Sequence, residues 1–175
     1  MDGAHGPGFA ARRCLAAVVT GAFTVTVPGT VAGLVPYRVA GRRVHAPLLG
    51  VRATRVLGAA LVAAGAPLVA DSFVRFVKAA GTPHPAFETD ELVVTGLYRH
   101  VRNPQYVGIV TMLAGQSLLY GSRRVLAYTV VVAALFHLWV VAFEERRLRR
   151  RFGTRYERYV ASTPRWVPRP RPAAS

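Results

Sequence analysis

The chain has 175 residues, enough for one domain, and 52% of them are hydrophobic, yet lysine and arginine outnumber aspartate and glutamate 23 to 8 for a formal net charge of +15. That charge is segregated from long apolar runs, which argues against a basic nucleic-acid-binding globule and for a membrane protein with basic flanks. The single cysteine, Cys14, excludes an internal disulfide, and the five histidines form no HExxH or HxxxH pair, so no metal site is expected.

In chain order, residues 15–37 carry no ionisable side chain except Tyr37 and are long enough to span a bilayer, which takes about 20 residues. Paired arginines before this run resemble the start of a signal peptide. The apolar stretch is too long for a signal core, however, and more such runs follow, so it reads as a retained helix kinked at Pro28 and Gly29. The second run, 56–70, is rich in Gly and Ala, which suits close packing in lipid. It extends to 53–76 with Arg52 and Arg55 snorkelling at one end. The third run, 104–121, and the fourth, 125–143, are separated by "SRR" and form a tight antiparallel hairpin. The fold class is therefore all-α: a single polytopic membrane domain of about four transmembrane helices over residues 1–175.

Four spans place the N-terminus, the second loop and the C-terminal tail on one side, with sixteen of the 23 lysines and arginines. The positive-inside rule makes that side, and both termini, cytoplasmic. Beyond the fourth run, Leu148, Phe152, Tyr156 and Tyr159 recur at helical spacing with arginines on the other faces. This is an amphipathic interfacial helix, its apolar side toward lipid and its basic side toward anionic head groups, bent or divided at Gly153. The closing "TPRWVPRPRPAAS" leaves the helix, with Trp166 as an interfacial anchor and 169–175 as a disordered tail.

Two polar clusters lie at the same membrane face. In "GLYRHVRNPQYVG", Asn103 is a favoured N-cap and Pro104 suits the first helical position. The backbone N–H groups of that helix start attract an anion, and Arg102 completes a clamp for carboxylate or phosphate. Tyr106 and Gly108 follow on the first turn, the glycine leaving room for a ligand or a neighbouring helix. The plainer reading is a basic, aromatic interfacial belt. The second cluster is Glu144 and Glu145. Glu145 and Arg149 have the favourable four-residue spacing for an ion pair, whereas a carboxylate at a membrane boundary ordinarily faces protein or a ligand. His137, seven residues before Glu144, extends this polar stripe, although alone it reads as a buried, hydrogen-bonded histidine. A ligand matching both clusters carries a carboxylate and positive charge. S-adenosylmethionine does; an amino acid or a nucleotide with a cation also fits.

The ordered string "LVVTGLYRHVRNPQYVG", a hydrophobic hairpin, then "EERRLRRRFGTRYERYVASTPRWVP" resembles the isoprenylcysteine carboxyl methyltransferase and phospholipid methyltransferase superfamily of integral membrane enzymes. The resemblance covers residues 82–168. It implies an S-adenosylmethionine site open to the cytoplasm and lined by Tyr98, Arg102, Asn103, Pro104, Tyr106, Gly108, Glu144 and Glu145, with a lipophilic small-molecule or prenylated acceptor entering from the membrane. By position, Arg102 and the helix start take the cofactor carboxylate, Glu145 with Glu144 the ammonium or ribose hydroxyls, and His100 the adenosyl end or the substrate. Arg102 and His100 are the candidate catalytic residues. Asn103 stands where the prenylcysteine enzymes usually carry His, as in bacterial relatives, and Asp90 and Glu91 occupy a region where those enzymes have a His. The expected location is a bacterial inner or cell membrane.

An ionised carboxylate acceptor needs no base, whereas an amine must lose a proton, to His100 or a glutamate. Two other readings stand beside methyl transfer. One is an NADPH-dependent membrane reductase of sterol-reductase-like architecture. The other is a non-enzymatic basic adaptor, which accounts for the tail and leaves the Arg-Asn-Pro string and the glutamate pair without a role.

Overall fold

The computed structural model describes residues 28–41, 44–78 and 92–170, with isolated positions 18, 22 and 26 ahead of them. Its longer elements are helical throughout. A π-helical turn, Thr30–Leu34, runs into α1 (Val35–Val39), followed by α2 (Ala53–Lys78), a 3-10 turn at Gly96–Arg99, α3 (Pro104–Tyr120) and α4 (Arg123–Trp139). A second π turn, Val140–Glu144, then leads into α5 (Glu145–Phe152) and α6 (Thr154–Ser162).

α2 and α3 pack antiparallel through two glycine pairs. Gly58 and Gly65 lie two helical turns apart on α2, as do Gly108 and Gly115 on α3. A Cβ on Gly58 would sit 2.7 Å from Gly115 O, and one on Gly65 would sit 2.6 Å from Gly108 O. The backbones therefore touch where side chains are absent, the small-residue packing by which lipid-embedded helices associate. α3 occupies the middle of the bundle. Its Ile109 and Leu113 are buried with Val132 of α4 and Ala32 of the first helix. At the far end of α3, Gly121 has a φ of 62°, and Ala46 O lies where its side chain would project. His45 N donates to Tyr120 O at 2.8 Å, so the loop before α2 closes over the α3–α4 connection.

The described part of the first helix is tied down where its hydrogen bonding is interrupted. Pro36 has no N–H to offer the Ala32 carbonyl one turn earlier. Gln116 Nε2 of α3 donates to Ala32 O at 2.5 Å instead, and Tyr128 OH of α4 donates to Val31 O at 3.0 Å. Neighbouring helices thus supply donors to the interrupted stretch.

Among the described residues, two helices are long and apolar enough to cross a membrane: Ala53–Arg75, 23 residues, and the continuous stretch Arg123–Phe152, 30 residues. Val130, Val131, Leu135 and Leu138 of α4 are each more than half exposed, an apolar surface suited to lipid and not to water. Two of the four spans of the sequence reading are among these helices. α3 has 17 residues, and much of 15–37 lies outside the described residues.

The amphipathic segment differs from expectation. Gly153, with a φ of 49°, divides it into α5 and α6, and its aromatic side turns onto protein. Tyr156 is buried, and Tyr159 OH donates to Tyr98 O at 2.7 Å. The carbonyl of the 3-10 turn gives the Tyr159 hydroxyl a partner that lipid could not. The tail also departs from the reading: Arg169 N donates to His100 O at 3.0 Å, so an ordered strap reaches past position 168, while 171–175 lie outside the described residues.

Candidate functional site

The polar end of the bundle is built on Gly96–Arg99. Gly96 has a φ of 57°, and the Arg75 guanidinium occupies the space a side chain would need. Arg75 is itself fixed by Asp71, at 2.6 and 2.8 Å, and donates to Thr95 Oγ1 at 2.9 Å. This arrangement buries Tyr98, whose hydroxyl is pushed far above the usual tyrosine range by burial, against a hydrogen bond with Ser72 and with help from the carboxylates of Glu144 and Asp71. Burial does the same to Tyr159, so both stay protonated donors.

α3 begins as the sequence indicates, with Asn103 at the N-cap position and Pro104 as the first helical residue. Asn103 does not cap the helix through its side chain, however. Its Nδ2 donates to Arg165 O at 3.1 Å, reaching across to the strap. Arg102 N likewise donates to Pro164 O at 2.9 Å. His100 pairs with the strap through its backbone and through Nδ1, which lies 2.7 Å from Arg169 O. A carbonyl accepts only, so that ring nitrogen carries the proton.

The two clusters, 43 residues apart in sequence, meet directly. Arg102 Nη1 donates to Glu145 Oε1 at 2.9 Å. Glu145 is 3% exposed and is also gripped by Arg165, with Nε to Oε1 at 2.6 Å and Nη2 to Oε2 at 3.0 Å, while Arg149 Nη1 stands 3.6 Å away. Glu144 has a different environment. Glu144 closes the π turn Val140–Glu144 and directs its carboxylate toward Tyr106 of α3. Glu144 Oε2 accepts from Tyr106 OH at 3.1 Å. Arg102 Nε is buried and makes no hydrogen bond.

Gly108 faces Gly65. A Cβ on it would lie 2.8 Å from Gly65 O, so of the two uses the sequence left open the structure shows the neighbouring helix. Beside Tyr106, Val107, Val110 and Thr111 of α3 and Ala133, Phe136 and His137 of α4 line a half-open cavity of about 350 Å³, with Trp166 of the strap as a further wall. Trp166 Nε1 donates to His137 Nδ1 at 3.1 Å, so the residue expected as an interfacial anchor also forms a wall of this cavity. Sequence reasoning assigned no role to Arg165. The available signal was a lone arginine after Pro164 in a proline-rich tail, with no periodicity to place it.

A family model described as phospholipid methyltransferase matches residues 53–155, from α2 into α6. No curated protein and no solved structure matches the chain. The match covers more than half of the chain and includes Arg102, both glutamates and the α2–α3 glycine contacts. It ends before the strap that carries Arg165 and Trp166.

Proposed function

The chain belongs to the phospholipid methyltransferase family and is a membrane methyltransferase, and from that premise we propose that it binds S-adenosylmethionine at the Arg102–Glu144 end of the bundle and methylates a lipophilic acceptor held between α3 and α4. One observation carries the cofactor assignment. Arg102 Nε is buried with no acceptor, while the Glu144 carboxylate accepts from a neutral donor, the Tyr106 hydroxyl. A carboxylate satisfies the first group and an ammonium or sulfonium the second, and S-adenosylmethionine carries all three.

When bound, S-adenosylmethionine supplies a methyl group on a sulfonium sulfur, open to in-line displacement. The chain's residues do the rest. Arg102 orients a carboxylate, with Asn103 and Pro104 fixing the helix start beside it. Glu144, steadied by Tyr106, meets positive charge. Glu145 is a positioning residue, since its carboxylate already serves Arg102 and Arg165. Tyr98 supports α6 through its carbonyl. His100 donates from Nδ1 to the strap, leaving Nε2 as the nitrogen able to take a proton from an amine acceptor. A carboxylate acceptor, such as an isoprenylcysteine-like one, is already ionised and needs only alignment in a dry site, so O-methylation is the favoured chemistry.

We place α3 and residues 15–37 as further spans, with both termini cytoplasmic in a bacterial cell membrane and the exposed arginines of α5 and α6 against anionic head groups. The family match lends no support to the reductase or the adaptor.

The deciding experiment is calorimetric titration of detergent-purified protein with S-adenosylmethionine and, separately, NADPH, alongside Glu144→Gln and Arg102→Ala. Saturable S-adenosylmethionine binding that both substitutions weaken is the expected result. A folded protein that ignores S-adenosylmethionine and binds NADPH would reverse the assignment.

A further inference from the structure

We infer that Trp166, held by His137, is the specificity-determining wall of the acceptor pocket, and that the pocket takes an apolar chain ending in a hydrogen-bond-accepting oxygen group. The pocket is an acceptor site only if the methyltransferase reading holds, but its ligand chemistry is tested without it.

The argument begins with the wall. The helical lining comes from α3 and α4, both inside the family match, and is apolar at Val107, Val110, Ala133 and Phe136. Trp166 is the lining residue contributed by the strap, beyond that match. A pocket framed by two packed helices and walled by a single residue of the strap has its size set by that residue. Trp166 is also coupled to the polar site, because its chain neighbour Arg165 grips Glu145 while Trp166 grips His137. Displacing the indole would pull on both attachments, so the wall is held at two points.

The polar atoms then select the ligand's head. An indole N–H donates and cannot accept, so His137 Nδ1 is the acceptor in their 3.1 Å bond, and a neutral ring keeps its proton on Nε2. His137 therefore meets a ligand as a donor. Thr111 adds a hydroxyl that can donate or accept. Ser72, Ser117 and Thr129 all direct their hydroxyls to a carbonyl of their own helix, at 2.7–2.8 Å, whereas the Thr111 hydroxyl makes no such bond and lines the cavity. A ring donor and a rotatable hydroxyl in an apolar surrounding favour a carboxylate or carbonyl oxygen, which both can reach, over an ammonium, which only the hydroxyl can accept.

The two tryptophans make the test direct, since Trp139 lies on the outward face of α4, stacked on Phe143, and Trp166 lines the pocket. Single-tryptophan proteins, Trp139→Phe and Trp166→Phe, are titrated in detergent with terminally brominated dodecanoic acid and with the matching brominated amine, reading fluorescence quenching. The acid should quench Trp166 saturably and Trp139 only in proportion to its micellar concentration. The saturable phase should disappear when Ala133→Phe, or separately Val110→Phe, fills the pocket. The acid should bind roughly tenfold more tightly than the amine. Proportional quenching of both tryptophans, a saturable phase that survives both filling substitutions, or an amine that binds as well as the acid would each overturn the proposal. S-adenosylmethionine calorimetry on the same samples reads the enzymatic assignment independently. Saturable quenching without cofactor binding would keep the pocket and remove the function; the reverse would keep the function and remove the pocket.

Discussion

Arg165 Nε stands 2.6 Å from Glu145 Oε1, joining the C-terminal strap to the first residue of α5 across 20 positions of sequence. Arg102 shares the same oxygen at 2.9 Å, so one buried carboxylate balances two guanidinium groups. The strap, the α3 start and the α5 start therefore depend on a single charge.

Removing that charge should be costly. Glu145→Gln keeps the shape but leaves Arg102, whose side chain is 9% exposed, without an anion, and should destabilise the protein by about 3–5 kcal/mol. Arg165→Ala leaves the Arg102–Glu145 pair in place and should cost less, about 1–3 kcal/mol. Thermal unfolding of the single and double variants in detergent measures both. Losses that simply add would show that the three side chains do not act as a unit.

The two glutamates should separate in function. Tyr106→Phe removes the hydrogen bond to Glu144 and should weaken S-adenosylmethionine binding roughly tenfold with the fold intact, while Glu144→Gln should weaken it further. Calorimetry with circular dichroism as the folding control checks this. Unchanged affinity in both variants would remove Glu144 from the ligand's surroundings.

The glycine contacts give a prediction confined to packing. In Gly65→Ala the new methyl meets backbone, Gly108 O at 2.6 Å, and also Met112 Cγ at 2.7 Å, so the helices must separate, at about 1–3 kcal/mol. Gly33→Ala, with nothing within 4 Å, should be close to neutral. Equal melting temperatures for the two variants would contradict the close approach of α2 and α3.

Gln116→Leu should loosen the first helix, because the Ala32 carbonyl then loses its donor in an apolar surrounding, at a cost of about 1–3 kcal/mol. A cysteine introduced as Ala32→Cys in a Cys14→Ser background should react faster with a membrane-permeant maleimide when Gln116 is replaced. An unchanged rate would mean that Tyr128 alone suffices to hold the segment.

Much of this architecture is legible in the residues themselves. The start of α3 follows from Asn103-Pro104, because proline's fixed φ and missing N–H belong at a first helical position. The break at Gly153 follows from a residue that tolerates positive φ between two helix-forming stretches. The meeting of the Arg-Asn-Pro string with the glutamate pair follows from counting apolar runs and charges, since a hairpin returns the chain to the side it left.

Other features needed the folded chain. Arg165 and Trp166 sit in a proline-rich tail with no period, and only the path of the strap brings one to Glu145 and the other to His137. Glu144 and Glu145 are adjacent in sequence but point about 100° apart on the helix, and only the packed chain brings Tyr106 to one and Arg102 with Arg165 to the other. Gly108 could have faced a ligand or a helix, and the register of α2 decided for the helix. The sequence by itself determined the helical class, the basic flanks, the helix ends and the family, because these rest on local dihedral preference, apolar run length and motif order. Tertiary structure decided which partners each carboxylate meets, because that depends on contacts between segments tens of residues apart, made only once the apolar helices have packed.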